Sequence, residues 1–155
     1  MNKSELLEEL ERKFEEIKNE LGFNSNFEEL DKIFFLKDEV LGREFVSEKY
    51  SRQLCARIVE LFMTWNSYLH GLVMPNPQNF LSLTEAKRID VELRKEIGDA
   101  MKIGMMISSW NNLIGLTKNK SEEAKFIDEA VRVWKDEYNP ILIKVLTTIS
   151  DGWKE

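Results

Sequence analysis

The chain has one cysteine, one histidine, three prolines and two glutamines among 155 residues. Each scarcity removes a class of chemistry. Cys55 has no second thiol to bridge to, and inside a helical pattern it reads as a buried, inert group. One Cys and one His fall short of the ligand set of a zinc site. A di-iron bundle needs a Glu-x-x-His pair on each of two helices, and His70 stands alone with Ser67 three residues before it. At 100° per residue His70 falls well off the apolar stripe of its helix, which makes it a rim histidine rather than a general base. Basic charge is also lacking. The net charge is -6, with Lys and Arg interleaved among Glu, so no nucleic-acid partner is expected.

Long apolar runs are missing as well. The charge-free run 103–117 is too short to cross a bilayer, and the longer run 61–84 is broken by Pro75 and Pro77. No segment alternates with period two, so no strand is expected. The glycine patterns of dinucleotide and P-loop sites, metalloprotease histidine pairs and EF-hand loops are all absent. The opening MNKSELLEELERKFEE is acidic and already helical in pattern, unlike a secretory leader, and a cytoplasmic location is expected. Glu and Lys are abundant and Gln is rare, a thermophilic lean that eleven Asn residues blunt.

What remains is helical periodicity, and it predicts an all-α, single-domain chain over 1–155. Leu7, Leu10, Phe14, Ile17 and Leu21 make a narrow seam on a first helix from Ser4 to Leu21, opened by a capping box of Asn2 with Glu5 and stopped by Gly22. A second helix is expected from Ser25, capped with Glu28, to Gly42. The third runs from Ser47 to Leu72, its stripe Tyr50, Leu54, Ile58, Leu61, Trp65, Leu69 and Leu72. After the Pro-containing loop, a capping box of Ser82 with Glu85 opens a long central helix, Thr84 to Leu116. The last helix starts at Ser121 and keeps one phase through Pro140, so it reads as a single helix kinked near Tyr138–Pro140. Three helices of roughly 40–50 Å, with the first two packed on them as a hairpin, give an antiparallel bundle of about five helices.

The central helix organises the rest. Its stripe is Ala86, Ile89, Leu93, Ile97, Ala100, Gly104, Ile107, Asn111 and Ile114. Past Ala100 it turns apolar on nearly every side, so it needs cover from more than one direction, from this chain or from a second copy. Ala100, Gly104 and Ser108 form a groove of small residues. Gly98 and Gly104 each cost about 1 kcal/mol against Ala in a helix, and close packing would offset that.

Two candidate sites follow. Glu92, Glu96 and Asp99 line one edge of the central helix at i, i+4 and i+7. Three acids on one line repel unless a cation lies between them, and Mg²⁺ takes such oxygens. Glu96-Ile-Gly-Asp99, with Glu5-Leu-Leu-Glu8, resembles the Glu-x-x-Asp and Glu-x-x-Glu pairs of all-α nucleoside-triphosphate pyrophosphatases. That resemblance implies a Mg²⁺-dependent phosphohydrolase. The third helix departs from the pattern, offering only Glu48 and Glu60, and Arg88, Arg94 and Lys95 would make the acids an ordinary ion-pair edge. The second candidate is an interface of Met105, Met106, Trp110 and Leu113. Depletion of charge with enrichment of Met and aromatics is the composition of an interface core. The stretch 61–84, with Phe62, Trp65, Tyr68, Met74 and Phe80, shares it. The reading that follows is a self-associating or partner-binding module without a cofactor, with the Mg²⁺ enzyme as the alternative.

Overall fold

A computed structural model describes residues Met1–Glu155. The chain is all-α, with α1 Lys3–Leu21, α2 Phe27–Phe34, α3 Leu36–Arg43, α4 Tyr50–Val73, α5 Phe80–Ala86, α6 Val91–Thr117, α7 Ser121–Val133 and α8 Asn139–Trp153. A π-helical turn, Trp134–Tyr138, joins α7 to α8 without a break, so the backbone forms seven helical bodies rather than five. No helix is long and apolar enough to cross a membrane. Two compact units are built from these helices. Met1–Leu61 with Ile107–Val131 make the first, and Phe62–Met106 with Arg132–Glu155 the second.

In the first unit, α1 opens as its caps dictate. Asn2 accepts from the Glu5 amide while Glu5 reaches back to the Asn2 amide, and Gly22 stops the helix with φ of 78°. The buried seam is Leu6, Leu10, Phe14 and Ile17, with Leu7 only half-buried. The buried face is thus turned slightly from the expected seam, toward Leu6 and Lys13, whose ammonium reaches out to Glu48 at 3.0 Å. Phe14 meets Phe23 and Phe27 edge-on at 5.6 and 5.1 Å.

The loop after α1 is pinned from both sides. Lys18 donates to the carbonyls of Phe23, Asn24 and Ser25, and the Asp128 carboxylate of α7 accepts from the Asn24 and Ser25 amides and the Ser25 hydroxyl. Ser25 is consumed there, so Asn26 rather than Ser25 caps the next helix. The expected single helix to Gly42 is two, broken at Phe35 with φ of 55°. Phe34 and Leu36 are both fully buried while Phe35 is exposed. In an unbroken helix residues two apart point roughly 200° apart, so only the break lets both face inward. Arg57 donates to the Phe34 carbonyl at 2.8 Å and the Asp31 carboxylate accepts from the Lys37 amide at 2.9 Å, holding the corner.

The second unit centres on a buried amide. Asn66 of α4 donates to the Met101 carbonyl at 3.0 Å and accepts from the Tyr138 hydroxyl at 2.5 Å. Phe62 lies edge-on to Trp134 and Tyr138, at 5.4 and 4.9 Å. Gly104 makes the amide's position possible, because a Cβ there would overlap the Asn66 side chain. The small-residue groove therefore admits a polar side chain of α4. The central helix begins later than expected. Asn79 caps the short α5, the chain turns at Lys87–Asp90, and Asp90 accepts from the Leu93 amide at 2.7 Å to open α6. The stripe Ala86, Ile89, Leu93, Ile97 and Ala100 is nonetheless buried across that turn. Trp153 of α8 donates to Glu85 at 2.8 Å and lies under the Arg88 guanidinium at 5.6 Å, fastening the chain's end to α5.

Two stability predictions follow. Gly104→Ala forces the Asn66 amide out of its hydrogen bonds and should cost about 2 kcal/mol. Gly98 has open space where a Cβ would go, so Gly98→Ala should stabilise by about 1 kcal/mol. Urea unfolding of the two variants checks this, and equal effects would refute the assignment of Asn66 to Gly104.

Glu39 supplies the second. Its carboxylate is buried in the first unit, accepts from Gln53 at 3.3 Å and lies 3.6 Å from Arg43. Burial raises its pKa above the ordinary 4.5, against the lowering effects of Gln53 and Arg43. The folded state then holds a proton that the unfolded chain releases, so stability falls as pH rises from 4.5 through the raised value. Glu39→Gln removes that loss. The stability of the variant relative to wild type should rise between pH 4.5 and 7, and a difference constant with pH would contradict the assignment.

Candidate functional site

The acidic edge of α6 lies in the second unit. Glu92 and Asp99 are exposed, and Glu96 is half-buried with its carboxylate 2.7 Å from the Lys144 ammonium. That hydrogen bond raises the Lys144 pKa, as expected when the charged form is the one held. The structure gathers no group of three or more His, Cys, Asp or Glu side chains able to hold a metal ion. Glu5, the first acid of the Glu5–Glu8 pair, is occupied in the α1 capping box. His70 is exposed.

The candidate interface residues of α6 divide. Met105, Met106 and Leu113 are 55%, 40% and 58% exposed, and Leu116, which the sequence reading leaves out, is 83% exposed. Trp110 is half-buried and meets Phe126 of α7 edge-on at 5.4 Å. Helical geometry explains the division. Taking the buried Ile107 as the inward direction, Met106, Leu113, Ser109, Leu116, Met105 and Asn112 occupy an outward arc of roughly 120°, and Trp110 lies between that arc and the core. The arc belongs to the charge-free run 103–117. In the stretch 61–84, Phe62 is buried, Trp65 and Tyr68 are half-buried in an edge-on pair, and Met74 and Phe80 are exposed.

A polar cluster in the first unit has no counterpart in the sequence reading. The buried Glu123 carboxylate accepts from Arg52 at 3.2 Å and from Ser51 at 3.4 Å. Arg52 also donates to the Asn111 side chain at 2.8 Å. Only the carboxylate is fully buried, and Arg52 with Ser51 satisfies it, while the guanidinium keeps an edge toward solvent. The signal for it was Asn111 itself, a polar residue at a core register, which requires a partner opposite. Cys55 lies 3.9 Å from Glu123, and burial with that adjacent carboxylate pushes its thiol up to about 12. It stays protonated at neutral pH and is a poor nucleophile. Burial likewise raises the Tyr138 hydroxyl, which serves as a hydrogen-bond donor. Comparison with family models, with curated proteins and with solved structures finds no match for this chain.

Proposed function

We propose that this chain is a cytoplasmic, non-catalytic module, an antiparallel helical bundle that associates with a second copy of itself through the outward arc of α6. One observation carries the reading: Met105, Met106, Leu113 and Leu116 stay exposed on a helix with no charge between Ile103 and Thr117. Exposed apolar side chains gathered on one helix face, here around Ser109 and Asn112, favour association, because their removal from water stabilises by roughly 25 cal/mol per Å².

A second copy suits the arc better than an unlike partner of opposite charge, since the arc carries no charge for such a partner to recognise. Two α6 helices packed antiparallel about Ser109 would place Met105 against Leu113 of the other copy, and the small serine permits close approach at the crossing. An interface of this sort is self-complementary, as two-fold association requires.

Light scattering at two concentrations tests the proposal. The wild type should show twice the chain mass at the higher concentration. Met105→Glu with Leu113→Glu should give the monomer mass with an unchanged far-UV helix signal, a weakening of roughly 100-fold or more. Both residues are exposed within the chain, so loss of helix is not expected. A wild type that stays monomeric at both concentrations removes this reading.

A further inference from the structure

The first unit contains a cavity of about 440 Å³, within the size range of small-molecule sites. Its apolar wall is Ile17, Leu21 and Ile114, and its cations include Lys49, Arg52 and Lys118. Glu20, Glu48 and Glu123 also line it, but each is engaged: Glu123 by Arg52, Glu48 by Lys13 at 3.0 Å, and Glu20 by Lys120 at 4.0 Å. The ammonium groups of Lys49 and Lys118 have no ion-pair partner. On a chain of net charge -6, the uncompensated charge facing this cavity is positive.

The cationic side is built before any ligand arrives. Arg52 is fixed by Glu123 and Asn111, which leaves its Nε and one Nη1 hydrogen unspent. Gly115 makes room for it, since a Cβ there would lie 3.2 Å from the guanidinium. Lys118 reaches the rim from a left-handed backbone position, φ 54°, where α6 has ended. A guanidinium already held in place loses little freedom when it binds an anion.

We infer that this cavity binds a small organic anion, its aliphatic body against Ile17, Leu21 and Ile114 and its carboxylate or phosphate head at Lys49, Arg52 and Lys118. Ile114 and Gly115 lie roughly 120–140° around α6 from Ser109, so this site and the self-association arc are separate surfaces of one helix.

Hexanoate, hexyl phosphate and hexanol are the probes, followed by amide chemical shifts of the full chain. At least one of the two anions should shift the amides of 49–52 and 115–120, and bind at least tenfold more tightly than hexanol. The tighter anion identifies the head group. Lys49→Gln with Lys118→Gln, both at the cavity edge and outside the core, should weaken it about tenfold with the rest of the spectrum unchanged. Absence of shifts from both anions at millimolar concentration overturns the inference. So does equal binding of hexanol, an unweakened double variant, or a response confined to Met105–Leu113.

Discussion

A polar side chain buried among apolar ones must find its hydrogen bonds inside the protein, and each unit is arranged around one asparagine under that constraint. In the second unit Asn66 engages the Met101 carbonyl and the Tyr138 hydroxyl, and Gly104 is the vacancy that admits it. In the first, Asn111 accepts from Arg52, whose other contact is the buried Glu123. Apolar contacts stabilise both cores but tolerate sliding. The amides do not, because a helix shifted by one residue would leave them unpaired, at a cost of about 1–3 kcal/mol each. They fix the register of α4 and α6 in their respective units.

The same constraint accounts for what the sequence revealed and what it hid. The stripe of α6 was legible to the residue, from Leu93 to Ile114, since burial of one helical face is a local pattern. So were the caps at Asn2 and Gly22, which depend on neighbours three or four residues away. Breaks that answer to distant partners were not legible. Ser25 looks like a cap until Asp128, more than a hundred residues later, takes its hydroxyl. Phe35 leaves the helix because Phe34 and Leu36 both have places in the core, and Lys87–Asp90 interrupts a stripe that stays buried on both sides. The kink expected at Pro140 is a π-helical turn at Trp134–Tyr138. The phase read through Pro140 holds beyond it, since Tyr138, Val145, Ile149 and Gly152 are all buried, with Leu142 inward of the half-buried Ile141.

For the candidate sites the division is similar. Spacing alone put Glu92, Glu96 and Asp99 on one edge, but only the fold shows that Lys144 neutralises Glu96. Spacing also marked α6 as too apolar for its surroundings, and the fold separates its residues by angle. Trp110 goes to Phe126, while Met105, Met106 and Leu113 go to solvent. The cavity of the first unit was invisible, because its lining comes from four stretches that share no local pattern.

These features place the chain's options on its surfaces rather than in its interior. Burial moves the pKa of the Cys55 thiol and of the Tyr138 hydroxyl further above neutrality, so both stay protonated at physiological pH. A nucleophile or base needs the opposite, a charged form stabilised next to open space. Lys49 and Lys118, exposed at the edge of the cavity without an ion-pair partner, are suited to attracting an anion. Binding at the cavity would draw on electrostatics and weaken with salt, whereas packing of the α6 arc would draw on apolar burial and strengthen with excluded salts such as sulfate. The two surfaces proposed for α6 thus have driving forces that respond to salt in opposite directions, and ionic strength alone separates them.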